Sequence, residues 1–88
     1  MVNWTIVHTK RSLKDFDKVS KSNLKPKVRA LLDIVLENPY KNPPPYEKLI
    51  GDLQSLYSRR INIQHRLIYQ VKEAEQTIKI ISMWSHYE

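Results

Sequence analysis

Eighty-eight residues suffice for one hydrophobic core and leave no room for a second, so a single domain spanning 1–88 is expected. Zero cysteines exclude a disulfide framework and any thiolate metal site, and the opening MVNWTIVHTK has no apolar signal core. No window approaches a membrane span, so the cytoplasm is the expected location and no membrane partner is expected; the +6 charge, fifteen Lys and Arg against nine Asp and Glu, favours polyanions such as nucleic acid, the ribosome or an acidic protein segment.

In chain order, residues 3–8 (NWTIVH) read as a strand, with Trp4, Ile6 and His8 alternating against Thr5 and Val7. Thr9 is suited to cap a short helix running to about Ser20, with Leu13, Phe16 and Val19 as its apolar stripe. Ser22 or Asn23 can cap a second helix whose first turn holds Pro26, where the missing N–H has no intrahelical partner to lose. Leu24, Val28, Leu31, Leu32, Val35 and Leu36 then recur at helical spacing, and Asn38-Pro39 stops the run. The segment KNPPPYEKL formally matches a proline-rich ligand of WW-type domains. Such ligands sit in free tails, whereas this one bridges two ordered elements; a stiff extended spacer that fixes where Glu47 emerges is expected.

The last third is β-rich. Segments 56–63, 65–71 and 77–84 are dense in Ile, Leu, Val, Tyr and Trp, and the polar link 72–76 suits antiparallel neighbours. Ile78, Ile80 and Ile81 suggest a strand buried on both faces. The single glycine, Gly51, excludes a glycine-rich phosphate loop. The order strand, helix, helix, strand, strand, strand predicts an α+β fold, two helices packed on a mostly antiparallel sheet.

The stretch SRRINIQHR, residues 58–66, carries three arginines and a histidine, and no Asp or Glu lies between Leu53 and Val71 to balance them. If Asn62, Ile63 and Gln64 form a hairpin loop, Arg60 faces Arg66 on one side of the sheet while Ile61, Leu67 and Tyr69 share the other as core. Like charges directly opposite each other are destabilising unless an anion sits between them, and guanidinium forks match phosphate oxygens bidentately. On spacing alone the alternative stays open: Arg59, Arg60 and Arg66 as ordinary exposed sheet residues paired with distant carboxylates. Three further residues complete a chemical set. Glu47 leaves the proline segment just before the sheet, and His86 and Tyr87 lie at the C-terminus.

The run from Glu47 through LYSRRINIQHRLIYQV to the closing His-Tyr resembles the YoeB/Txe branch of the RelE-like toxins of bacterial toxin–antitoxin modules, over essentially the whole chain. The specific part is the spaced pattern S-R-R-I, H-R-L-I-Y and terminal H-Y. The resemblance implies a RelE-like, microbial-ribonuclease-like fold and a ribosome-dependent endoribonuclease that cleaves mRNA in the A site. It also implies neutralisation by a YefM-like antitoxin, for which an acidic, poorly ordered tail is expected; a homodimer is a further assembly left open. The family's catalytic glutamate corresponds to Glu47, its catalytic arginine to Arg66, and its closing histidine and tyrosine to His86 and Tyr87. Arg60 corresponds to a substrate contact, and Arg59 and Lys48 are expected to join it in binding RNA. Where relatives carry Glu-x-Leu-Lys, Ile50 replaces the lysine; Trp84 and Ser85 precede His86, and Glu88 extends the chain past the tyrosine.

The residue types suit the reaction. RNA supplies its own nucleophile, the 2′-hydroxyl. A carboxylate of ordinary pKa about 4.3 is ionised at neutral pH and takes that proton, and an imidazole of ordinary pKa about 6.5 is partly protonated and gives one to the leaving 5′-oxygen. That assigns the base to Glu47 and the acid to His86, although the two could exchange roles. Arg60 and Arg66 would hold the extra charge on phosphorus. Neither a metal nor a cofactor is needed, and the products are a 2′,3′-cyclic phosphate and a 5′-hydroxyl. Two other functions compete: a basic module that holds RNA or ribosome without cutting, and a ParE-like relative that poisons gyrase. The first gives Glu47 no return for weakening anion binding; the second leaves Glu47, Arg66 and His86 without roles.

Overall fold

The computed structural model describes residues 4–49 and 55–84. Among them the elements run β1 (Thr5–His8), α1 (Lys10–Ser20), α2 (Lys25–Glu37), β2 (Glu47–Lys48), β3 (Leu56–Arg60), β4 (Arg66–Lys72) and β5 (Thr77–Ser82), with one 3-10 turn at Glu73–Glu75. They form one sheet in the order β1-β5-β4-β3-β2, parallel between β1 and β5 and antiparallel elsewhere. The α+β class and the element order are therefore as expected, with one addition: β2 turns the end of the proline segment into an edge strand.

Local chemistry accounts for most boundaries. Thr9 caps α1, its Oγ1 accepting from the Ser12 N–H at 3.0 Å while donating to the Ile81 carbonyl at 2.9 Å. Leu24, not Ser22 or Asn23, takes the cap position of α2; Ser22 Oγ instead accepts from the Leu24 N–H at 3.1 Å, and Pro26 sits in the first turn. α2 ends at Glu37, ahead of Asn38-Pro39.

Of the three C-terminal strands, β3 and β5 are shorter than expected, while β4 keeps its length and is shifted by one residue. β3 stops at Arg60 and β4 starts at Arg66, because Asn62 draws residues 61–65 into a turn. Its Oδ1 accepts from the Gln64 N–H at 2.8 Å and the His65 N–H at 2.6 Å, while the Ile61 N–H bonds the His65 carbonyl at 2.9 Å. The expected register holds: Arg60 pairs with Arg66. β5 ends at Ser82, and Ile81 is the extra residue of a bulge, since Tyr69 pairs with Ile80 and Ile68 with Ser82. β5 is consequently not buried on both faces, as Ile78, Ile80 and Ile81 had suggested: buried residues alternate with half-buried ones along it.

The core lies between the helices and one face of the sheet. Val19, Val28, Leu31 and Val35 pack there against Tyr57, Ile61, Leu67, Tyr69, Val71, Ile78, Ile80 and Met83, each large apolar side chain contributing about 1.5–3 kcal/mol. The α1 stripe is rotated from expectation. Ser12, Asp15 and Val19 are buried, whereas Leu13 is 58% exposed. The buried carboxylate of Asp15 accepts from the Met83 N–H at 3.1 Å, and Ser12 Oγ hydrogen-bonds His8 Nδ1 at 2.6 Å, so the seam between α1 and the sheet is partly polar and satisfied. Among the described residues, no helix is long and apolar enough to cross a membrane.

Candidate active site

The face of the sheet away from the helices is assembled by pairing. Glu47 lies beside Ser58, Ser58 beside Ile68, and Arg60 beside Arg66, so these side chains share one surface. A concavity of about 200 Å³ opens there, lined by Pro45, Tyr46, Glu47, Ser58, Arg60 and Arg66. Glu47 and Arg60 are exposed and Arg66 is half-buried. No ion pair among the described residues neutralises either arginine; the pairs present join Arg11 to Asp15, Lys21 to Asp17 and Lys41 to Glu37. A carboxylate and two guanidinium groups, neither of them ion-paired among the described residues, thus border one cleft. That arrangement can bind a phosphodiester and can withdraw a proton beside it.

Arg59 is placed elsewhere, which corrects both the expected RNA contact and the alternative of an exposed sheet residue. It pairs with Leu67 on the core face and is 1% exposed. Its guanidinium is spent within the protein: Nε donates to Tyr69 Oη at 3.1 Å, Nη1 to the Pro44 carbonyl at 2.6 Å, and Nη2 to the carbonyls of Pro39 and Lys41 at 3.1 and 2.8 Å. The Tyr46 ring covers it, 5.0 Å from Cζ to the ring centroid, and Tyr69 Oη donates in turn to the Pro39 carbonyl at 2.8 Å. Burial raises the Tyr69 phenol above its ordinary pKa, with the charge of Arg59 pulling the other way. The proline segment is accordingly bent around one cation rather than held straight. That bend delivers Tyr46 and Glu47 to the edge of the sheet. The parity that places Ile61 and Leu67 in the core places Arg59 there too, so the signal was present; the cluster of three arginines obscured it.

Lys48 is exposed but placed apart from the cleft. It pairs with Tyr57, whose side chain belongs to the core face, so the alternation of β2 directs Lys48 away from the surface that carries Glu47 and both arginines. The cleft does not include it. His86 and Tyr87 lie outside the described residues, as do Ile50, Ser85 and Glu88.

Two groups near the cleft went unread in the sequence. Ser58 is 2% exposed and lines the concavity, yet its hydroxyl has no hydrogen-bond partner among the described residues. His65, next to Arg66, stacks on Trp84 with ring centroids 4.4 Å apart, and its Nδ1 is likewise unpartnered. Ser58 could have been found by extending the parity of Arg60 two residues back. The His65–Trp84 contact joins residues far apart in the chain and left no local signal.

Comparison with known proteins agrees over nearly the whole chain. Residues 8–87 match the family model described as the YoeB-like toxin of bacterial type II toxin–antitoxin systems. Toxin YoeB of Synechocystis sp. is 33% identical over 62 residues, 70% of each chain. The structure of a YoeB/ParE toxin from Agrobacterium tumefaciens superposes with a TM-score of 0.85 at 27% identity, covering 94% of this chain and 99% of the other. The YoeB-YefM complex from Staphylococcus aureus gives a TM-score of 0.78 at 32% identity, covering 96% and 98%. With residues 8–87 matched and the α+β architecture shared, this chain belongs to the YoeB-like toxins of bacterial type II toxin–antitoxin systems.

Proposed function

We propose that the chain is a metal-independent endoribonuclease that cleaves mRNA in the ribosomal A site and so halts translation. The observation that carries this is the cleft bordered by Glu47, Arg60 and Arg66, in which neither guanidinium is neutralised among the described residues. A scissile phosphate between Arg60 and Arg66 meets two planar cationic forks, which hold the charge that builds up as a fifth oxygen joins phosphorus. Glu47 takes the proton from the attacking 2′-hydroxyl, and His86 returns one to the departing 5′-oxygen; the reverse assignment of base and acid uses the same groups. Tyr87 orients the phosphate or stacks on a base. RNA is cut and DNA is spared because only RNA carries the nucleophile.

The proposed partner is a YefM-like antitoxin whose acidic tail covers the arginines or displaces the C-terminal His-Tyr segment, blocking RNA in either case. A cytoplasmic location follows from a ribosomal target. A ParE-like action on gyrase is disfavoured because it gives Glu47 and Arg66 nothing to do. Primer extension on mRNA in a translating extract tests the reading. Arg66→Ala is expected to lower cleavage about 100- to 1000-fold with the unfolding midpoint retained, and His86→Gln to cripple it as well. Wild-type cleavage by the Arg66→Ala chain would overturn the site. Products ending in a 3′-hydroxyl would exclude attack by the 2′-oxygen.

A further inference from the structure

We infer that Ser58 is a further substrate-contacting group, its hydroxyl donating a hydrogen bond to a non-bridging oxygen of the phosphate seated between Arg60 and Arg66. The inference rests on the nuclease reading above and adds a residue to it. Ser58 is 2% exposed, and its Oγ lacks any hydrogen-bond partner among the described residues. Removing a hydroxyl from water without replacing its hydrogen bonds costs stability, and native proteins keep few such groups. Local backbone often satisfies a serine in a turn or cap, but here the hydroxyl lies in the middle of β3. Ala would occupy the same position with no polar group to strand.

The surroundings indicate what would satisfy it. Ser58 lies between Glu47 on one neighbouring strand and Ile68 on the other, two residues from Arg60, and it lines the cleft these residues form. Arg60 and Arg66 can only donate, and Ile68 offers nothing. The cleft is therefore rich in donors, with the Glu47 carboxylate and the Tyr46 phenol as its side-chain acceptors, neither of which bonds the Ser58 hydroxyl. A phosphodiester supplies acceptors where the donors converge: each non-bridging oxygen has lone pairs to spare once the two forks are engaged. A recessed hydroxyl that finds its partner only when that oxygen arrives contributes to binding and catalysis, not to folding. No proton changes hands; Ser58 donates a hydrogen bond and keeps its hydrogen.

The test compares the full-length wild type with Ser58→Ala and Ser58→Cys, the latter keeping volume while offering only a weak donor. Single-turnover cleavage is measured on ribosomes programmed with unmodified mRNA and with mRNA carrying one non-bridging phosphorothioate at the scissile linkage. Thermal unfolding of each chain is recorded in parallel. Both variants are expected to cleave about 10-fold more slowly or worse, with unfolding midpoints equal to or above that of the wild type. The phosphorothioate isomer that slows the wild type is expected to slow Ser58→Ala no further, a signature that a structural role would not produce. Cleavage by Ser58→Ala at the wild-type rate, while Arg66→Ala is inactive, would overturn the inference and leave the nuclease reading standing. So would a clear drop in unfolding midpoint with a rate loss matched to the unfolded fraction. A wild-type chain that leaves programmed mRNA intact would overturn both.

Discussion

One peptide bond separates Arg59 from Arg60, and the pleat sends them to opposite faces of the sheet. On the core face a guanidinium must find every hydrogen bond inside the protein, and Arg59 finds them in Tyr69 and three carbonyls of the segment that leads to Glu47. Replacing it strands those carbonyls. Arg59→Met is expected to cost about 3 kcal/mol or more in urea unfolding, and Tyr69→Phe about 1–2 kcal/mol, since the phenol bridges Arg59 and Pro39. Arg59→Lys should not restore what Arg59→Met loses, because an ammonium lacks the planar fork that reaches several acceptors at once. Arg60→Ala, by contrast, is expected to stay within about 0.5 kcal/mol of wild type, because its side chain is exposed with no ion pair among the described residues. The facing of Arg60 and Arg66 was legible from strand parity. The burial of Arg59 followed from the same parity, but its carbonyl partners lie at residues 39–44 and could not be read from residues 58–66.

At the scale of elements, α1 makes the clearest case of a helix found by its pattern and oriented by its partners. Its cap and length follow from Thr9 and the helical periodicity. Leu13, Phe16 and Val19 define an apolar stripe, yet the helix turns Ser12 and Asp15 inward because two polar partners lie there: the Met83 N–H donates to the Asp15 carboxylate, and His8 Nδ1 shares a hydrogen bond with Ser12 Oγ. A bulge at Ile81 leaves the sheet backbone locally irregular just where Thr9 and Asp15 attach. The expected outcomes run against the apolar pattern. Leu13→Lys should change stability by no more than about 0.5 kcal/mol, whereas Asp15→Ala should lower it by about 1–3 kcal/mol, both by urea denaturation. β2 is a similar case. Two residues after a proline run carry no strand signal, and their pairing with Tyr57 and Ser58 is what sets the direction of Glu47 and Lys48.

For the whole molecule, the +6 charge and the cleft act over different ranges. The net charge draws in a polyanion at distances comparable with the screening length, while Arg60 and Arg66 act only on contact. Binding of an mRNA with a 2′-deoxy residue at the cleavage point, which cannot be cut by 2′-attack, is expected to weaken steeply with salt. Arg60→Gln and Arg66→Gln should each flatten the plot of log K against log[salt] by about 1. An unchanged slope in both would place the phosphate elsewhere. The same surface charge suits an acidic antitoxin tail, so RNA and antitoxin compete for one face in the proposed cycle.

Periodicity, capping and proline placement determined the two helices, the three C-terminal strands and the register of the arginine hairpin, because each depends on residues a few positions apart. The spaced Ser-Arg-Arg-Ile, His-Arg-Leu-Ile-Tyr and His-Tyr pattern determined the family in the same local way. Only the tertiary structure decided which carbonyls hold the Arg59 guanidinium, that Lys48 faces away from the site, and that α1 docks through Asp15. Those outcomes rest on hydrogen bonds between residues 59 and 44, 47 and 58, or 15 and 83. Those partners lie 15, 11 and 68 residues apart, beyond the few positions that a local pattern relates, and the free energy of each contact depends on everything packed around it.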